Sequence, residues 1–195
     1  MILPDPVPVE SGGYGRLSSD VDLLVTFTCD RIPGEDDTDR LERWLASGGR
    51  WLALHATNAN PTTSGGLPRP EDERPRFFEL LGSVFEGHPA IRPFDVRGAD
   101  RNGLRLRDYR THDEPFRIRM IAEAEILQWD VETAPEPIPI AYRRSVGTGL
   151  VAYHALGHTA VDRSGGPDDD CSWAIPEFRA DLADLISMLC IRPEP

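Results

Sequence analysis

Two short apolar runs flank an amphipathic stretch and a glycine pair, and that spacing constrains the fold more than any other feature of the chain. Val21–Phe27 is nearly continuous in apolar residues, as in a strand buried on both faces. Asp37–Ala46 places Leu41, Trp44 and Leu45 on one helical face, with Asp or Thr at its start and Gly48-Gly49 as its stop. Arg50–Ala56 is the second run. Strand, helix and strand in this order make one βαβ unit, whose two strands pair in parallel.

The remaining chain continues the alternation. Thr57–Arg74 is rich in Pro, Gly, Thr and Asn, a long loop of the kind that follows a parallel strand and builds sites. Pro75 starts a helix carrying Phe77, Phe78, Leu80 and Leu81, which Gly82 ends. Ile91–Arg97 and Ile126–Val131 read as strands. Ile138–Val146 and Leu150–Leu156, split by Gly147-Thr148-Gly149, read as a C-terminal β-hairpin. A last helix from Pro176 sets Phe178, Leu182, Leu185, Ile186 and Leu189 at helical spacing, and Pro193 stops it. No linker divides the chain, so its 195 residues are expected to form a single α/β domain. Trp44, Trp51, Phe178 and Cys190 are assigned to the core.

The net charge of −12 would repel a phosphate backbone, so neither nucleic acid nor an anionic membrane is an expected partner. Acid runs at Glu35-Asp36-Asp37 and Asp168-Asp169-Asp170 read as solvated loops. No apolar run reaches the roughly 18 residues of a membrane helix, and the first residues lack the pattern of a signal peptide. Cys29, Cys171 and Cys190 are far apart and without C-x-x-C spacing, which fits a reducing compartment and a cytoplasmic location. Cys29 follows a strand, but Thr28-Cys29-Asp30-Arg31 has no glycine elbow, which argues against a nucleophile.

Chemistry concentrates in the histidines. All five lie in short motifs outside the helices: His55 after Leu54, His88 after Gly87, His112 beside Asp113-Glu114, then His154 and His158 around Gly157. Ligands of open parallel sheets bind at the carboxyl ends of strands, where His55, His154 and His158 are expected. Imidazole is the side chain whose charge changes nearest neutral pH and the commonest metal ligand. Adjacent carboxylates can orient it, share its proton or complete a metal shell.

His55, Asp113, Glu114 and His158 are therefore the candidate catalytic set, with His88, Gly87, Gly157 and His154 the candidate substrate contacts. For His154 taken alone the plainer reading is a strand-end histidine bonded to a loop carbonyl, and for His112 a solvent-facing one. His55, His88 and His158 are the candidate ligands of a divalent metal (zinc, iron or manganese), although neither H-x-x-x-H nor H-E-x-x-H on a helix is present. Trp129 or Trp173, if exposed near the site, would suit stacking on a sugar ring. No phosphate-cradling glycine loop is found.

The pieces Gly49–Ala56, Leu81–Pro89, Asp113-Glu114 and Gly147–His158, in this order between Val21 and Leu189, resemble the ThuA-like (trehalose-utilisation) family. That resemblance implies the fold of the class I glutamine amidotransferases: a flavodoxin-like, doubly wound and mostly parallel sheet. The residues carrying the pattern are His55, Gly82, His88, Asp113, Glu114, Gly157 and His158. The resemblance also implies work on a sugar or keto-sugar derivative in disaccharide utilisation. Amidotransferases carry a cysteine after the strand matching Arg50–Leu54, whereas this chain has His55, so glutaminase activity is not expected. A non-catalytic sugar-binding or regulatory module is the alternative. Residues 1–20 replace the usual first βα unit with Pro- and Gly-rich sequence, and an uncovered strand there would call for a homodimer or another covering partner.

Overall fold

In the computed structural model, which describes residues 14–29, 32–59, 75–158 and 171–191, the two apolar runs pair in parallel as expected. The elements in chain order are β1 (Leu24–Phe27), α1 (Glu35–Ala46), β2 (Arg50–Leu54), α2 (Pro75–Leu81), β3 (Ser83–Gly87), β4 (Arg92–Gly98), β5 (Asp100–Arg101), β6 (Leu104–Arg105), β7 (Tyr109–Asp113), β8 (Arg117–Met120), β9 (Glu125–Asp130), β10 (Ile138–Val146), β11 (Gly149–His154) and α3 (Pro176–Cys190). The acid run Asp168-Asp169-Asp170, most of the Thr57–Arg74 loop, the start of the chain and Pro193 lie outside the described residues. No described helix is long and apolar enough to cross a membrane.

Seven strands form a curled mixed sheet in the order β1-β2-β11-β10-β9-β4-β7. Only β1, β2 and β11 pair in parallel; β11-β10, β10-β9, β9-β4 and β4-β7 are antiparallel. The expectation of a mostly parallel sheet is thus corrected. Parallel neighbours need a long crossover, and the chain supplies one between β1 and β2 through α1; beyond β3 its connections are short enough for antiparallel returns. The C-terminal hairpin is present, with Ala141 opposite His154 and Val146 opposite Gly149.

α1 begins two residues before the expected start, so Glu35, Asp36 and Asp37 form its first turn rather than a loop. There their charge meets the positive end of the helix dipole. Leu41 and Leu45 are fully buried, each contributing about 2 kcal/mol by burial. Trp44, Trp51 and Phe178 lie in the core as assigned. Cys190 does not: it ends α3 and is exposed. α3 packs over β2 and β11, burying Phe178, Leu182, Leu185 and Leu189.

The hairpin turn locks onto the end of α1. A Cβ on Gly149 would stand 2.2 Å from the Leu45 carbonyl oxygen and 2.8 Å from that of Gly49. Both are backbone atoms and cannot step aside as a side chain tip would. Gly149→Ala is expected to lower unfolding free energy by about 2–3 kcal/mol, read as a lower urea midpoint at unchanged m-value. A midpoint within error of the parent would show that the turn is not held against α1.

Direction follows from the pairings. Each antiparallel step away from β11 reverses the chain, so β1, β2, β11, β9 and β7 all run the same way and end on one rim. A flat sheet would hold β7 roughly 19 Å from β11, four strand spacings away. Curling brings the two ends back together.

Candidate active site

At that rim His55 follows β2, Asp113-Glu114 closes β7, and the segment Ala155–His158 leaves β11. The chain turns sharply at His55, whose φ of 49° is left-handed. That conformation costs a non-glycine residue about 1–2 kcal/mol and persists where surroundings impose it. Here Tyr153 Oη donates to the His55 carbonyl oxygen at 2.7 Å, Thr57 Oγ1 donates to the Leu54 carbonyl at 2.8 Å, and His55 Nδ1 meets the Ala155 carbonyl at 3.0 Å. A carbonyl oxygen only accepts, so Nδ1 carries the proton and Nε2 turns toward Glu114.

Glu114 is the hub. One carboxylate oxygen, Oε2, lies 3.2 Å from His158 Nδ1 and 3.5 Å from His55 Nε2, while Oε1 lies 3.7 Å from His88 Nε2. His88 arrives from a different direction, following β3 in the small β3-β8 sheet, where Gly87 pairs with Arg117. Three of the five histidines thus surround a single carboxylate, all three drawn from the candidate list. Burial pushes the His55 pKa below the ordinary imidazole value, opposed by the Ala155 carbonyl and then by the Asp113 and Glu114 charges.

Asp113 has a different part. It is 1 % exposed, and its oxygens accept from the backbone N–H of Glu114 (2.7 Å), Gly157 (3.0 Å) and His158 (3.3 Å) and from the Ser172 hydroxyl. Burial pushes its pKa up, while Ser172 and Gly157 pull it back. A carboxylate so enclosed fixes the backbone of Glu114 and His158. The stretch before it is strand β7, which buries Tyr109, Thr111 and Asp113 in alternation.

His154 is corrected outright: it is fully buried, its Nδ1 accepts from the Leu156 N–H at 3.3 Å, and its ring lies edge-on to Phe178. Among the described residues its ring has no open face for a ligand. His112 is half-buried in β7, bridging to Cys171. Gly157 has φ 121° and a Cβ there would meet Trp173, Phe27 and Phe178 at 3.4–3.7 Å. Gly87, φ 141°, borders open space.

Aromatic rings wall the cluster. Phe116 stacks on His55 with centroids 4.4 Å apart and lies 5.8 Å from His88; Phe27 covers His55 at 6.0 Å. Trp173 stands edge-on to Phe27 and donates from Nε1 to the Gly157 carbonyl at 2.9 Å. Phe116, Phe27, Tyr153 and Ser172 were not singled out from the sequence. Phe116 alone had a signal there, two residues from Glu114 and after a proline.

No family model and no curated protein matches the chain. Solved structures do. A ThuA-like protein from Bacteroides uniformis superposes with TM-score 0.64 at 16 % identity, over 94 % of this chain and 75 % of that one. Another, from Parabacteroides merdae, gives 0.66 at 16 % identity, over 91 % and 74 %. The β-galactosidase from Bacillus circulans sp. alkalophilus gives 0.58 at 20 % identity, where this chain spans only 23 % of the enzyme. The chain has the fold of the ThuA-like proteins.

Proposed function

We propose that this protein is a ThuA-like protein of carbohydrate metabolism, acting on a sugar or keto-sugar derivative by acid–base chemistry between imidazole and carboxylate. The observation that carries the reading is Glu114, with ring nitrogens of His158, His55 and His88 within 3.2–3.7 Å of its carboxylate. A carboxylate in contact with imidazoles can take a proton from a sugar hydroxyl or ring carbon and pass it on. Aromatic faces beside polar groups suit a sugar, whose C–H face stacks while its hydroxyls bond. The reading is supported by the parallel trio β1, β2 and β11, whose carboxyl ends face this cluster, since ligands of open parallel sheets bind at such strand ends. His55 stands at the left-handed turn after β2, the position that a glutaminase would give to cysteine, so hydrolysis of glutamine is not part of the proposal.

The test is turnover of a panel of disaccharides and their keto derivatives, with binding followed by calorimetry. His55→Ala and His158→Ala are each expected to lower kcat/KM by about 10²–10⁴-fold. Variants as active as the parent would overturn the shared site. Binding retained with no turnover in the parent would instead make the domain a sugar-binding module.

A further inference from the structure

We infer that His55 Nε2, Glu114 Oε2 and His158 Nδ1 form a binding site for one divalent transition-metal ion, of which zinc is the natural probe. The inference rests on the reading of this cluster as the working site, but not on the identity of the sugar. Three observations converge on it.

First, the two carboxylate–imidazole distances fit. The three ligand atoms lie within 4.8 Å of one another, with Oε2 at 3.5 Å from one nitrogen and 3.2 Å from the other. Tetrahedral zinc with bonds of about 2.0–2.1 Å sets its ligands about 3.3–3.4 Å apart. The His158 separation sits at the upper end of the hydrogen-bond range and the His55 separation beyond it, and both are ordinary for the edges of a coordination polyhedron. Among the described residues, this is the group of histidine, cysteine and acidic side chains that converges closely enough to hold an ion.

Second, the lone pairs point the same way. With its Nδ1 proton given to Ala155, a neutral His55 presents a lone pair from Nε2 to a carboxylate oxygen, which has none but lone pairs to offer in return. Two acceptors aimed at one point repel unless a proton or a metal cation stands between them, and a cation satisfies both lone pairs together with that of His158. Imidazole held by a backbone carbonyl through its other nitrogen is the ordinary state of a metal-bound histidine.

Third, the ligands are built in from behind. Asp113 bonds the backbone N–H of both Glu114 and His158, so two of the three ligands are set by one buried group before any ion arrives. Phe116 and Phe27 cover the His55 ring, keeping the surroundings of low polarity. Two imidazoles and a carboxylate suit zinc or iron(II) better than calcium or magnesium, which prefer oxygen alone. A fourth position would remain toward His88, 3.7 Å from the other oxygen of Glu114, where a substrate oxygen could be polarised.

Untagged protein, stripped with chelator and dialysed, is titrated with zinc chloride in a calorimeter without sugar. The expected result is one site of micromolar or tighter affinity, weakened at least 100-fold by His158→Ala and by Glu114→Gln. His112→Ala, outside the cluster, should bind as the parent does. Cobalt(II) supplies a second readout, as a tetrahedral site would give intense visible absorption that the Glu114→Gln protein lacks. Zinc binding that is absent from the parent, or that survives undiminished in both variants, overturns the inference. Circular dichroism of each variant excludes loss of fold as the cause. Because no sugar is present, failure here leaves the acid–base reading standing, and failure of every sugar to bind leaves the metal site standing.

Discussion

Asp113→Ala is expected to lower the unfolding free energy by about 3–5 kcal/mol, a large part of what a domain of this size has to lose. Three backbone N–H groups and one hydroxyl converge on this carboxylate. Removing it orphans the three N–H groups in a region that water reaches poorly, while Ser172 keeps the Thr111 hydroxyl as a partner, and each unsatisfied buried group costs about 1–3 kcal/mol. Relaxation and entry of water reduce the sum. Asp113→Asn keeps the shape but turns an NH₂ toward an N–H, so an intermediate loss is expected. Urea unfolding measures both, and amide exchange at Glu114, Gly157 and His158 should accelerate in parallel. A loss under about 1 kcal/mol for the alanine variant would mean that the segment after β11 is held by something other than Asp113. The prediction also separates its part from that of Glu114, whose replacement by Gln removes a partly exposed charge and should leave stability nearly unchanged.

The difference between these neighbours was not legible in the sequence. Read as a pair, Asp113-Glu114 offers two similar acids in a polar stretch. The split comes from the strand period: β7 buries alternate residues, Tyr109, Thr111 and Asp113, and its last inward position falls on the aspartate. With arginine at 110 and histidine at 112, the alternation was masked by charge. β3 and β8 were missed for a related reason, since each is short and β8 carries Arg117 and Arg119 on its exposed side. By contrast, β1-α1-β2 and the hairpin of β10 and β11 were legible, because their signals are local: apolar runs, a helical face, glycines where the chain turns. The gathering of His55, His88 and His158 lay between these extremes. Strand ends predicted a shared rim, but only the curl of the sheet brings β7 to β11 and sets Glu114 among the imidazoles.

His154 supplies the second large effect, and it concerns pH. Burial alone pushes its pKa from 6.5 to about 3, so the folded protein keeps the ring neutral. Its Nδ1 accepts from Leu156, which leaves the proton on Nε2, a nitrogen with no hydrogen-bond partner among the described residues. Above pH 6.5 the ring is neutral whether the chain is folded or unfolded, and it has no linkage to stability. As pH falls below 6.5 the unfolded chain takes up a proton that the folded chain refuses. Stability is then lost at about 1.4 kcal/mol per pH unit, until the folded-state pKa near 3 is reached. By pH 4.5 the loss from this ring alone is about 3 kcal/mol. His154→Gln keeps an acceptor for the Leu156 N–H but cannot titrate. Its stability at neutral pH can fall below that of the parent, yet between pH 6.5 and 4.5 its curve should be flatter by close to one proton. The comparison of slopes removes the contribution of carboxylates and of His55, which both proteins share. Equal slopes would place the His154 proton uptake in the folded state, and with it water or a charge beside a ring that the structure encloses in the core.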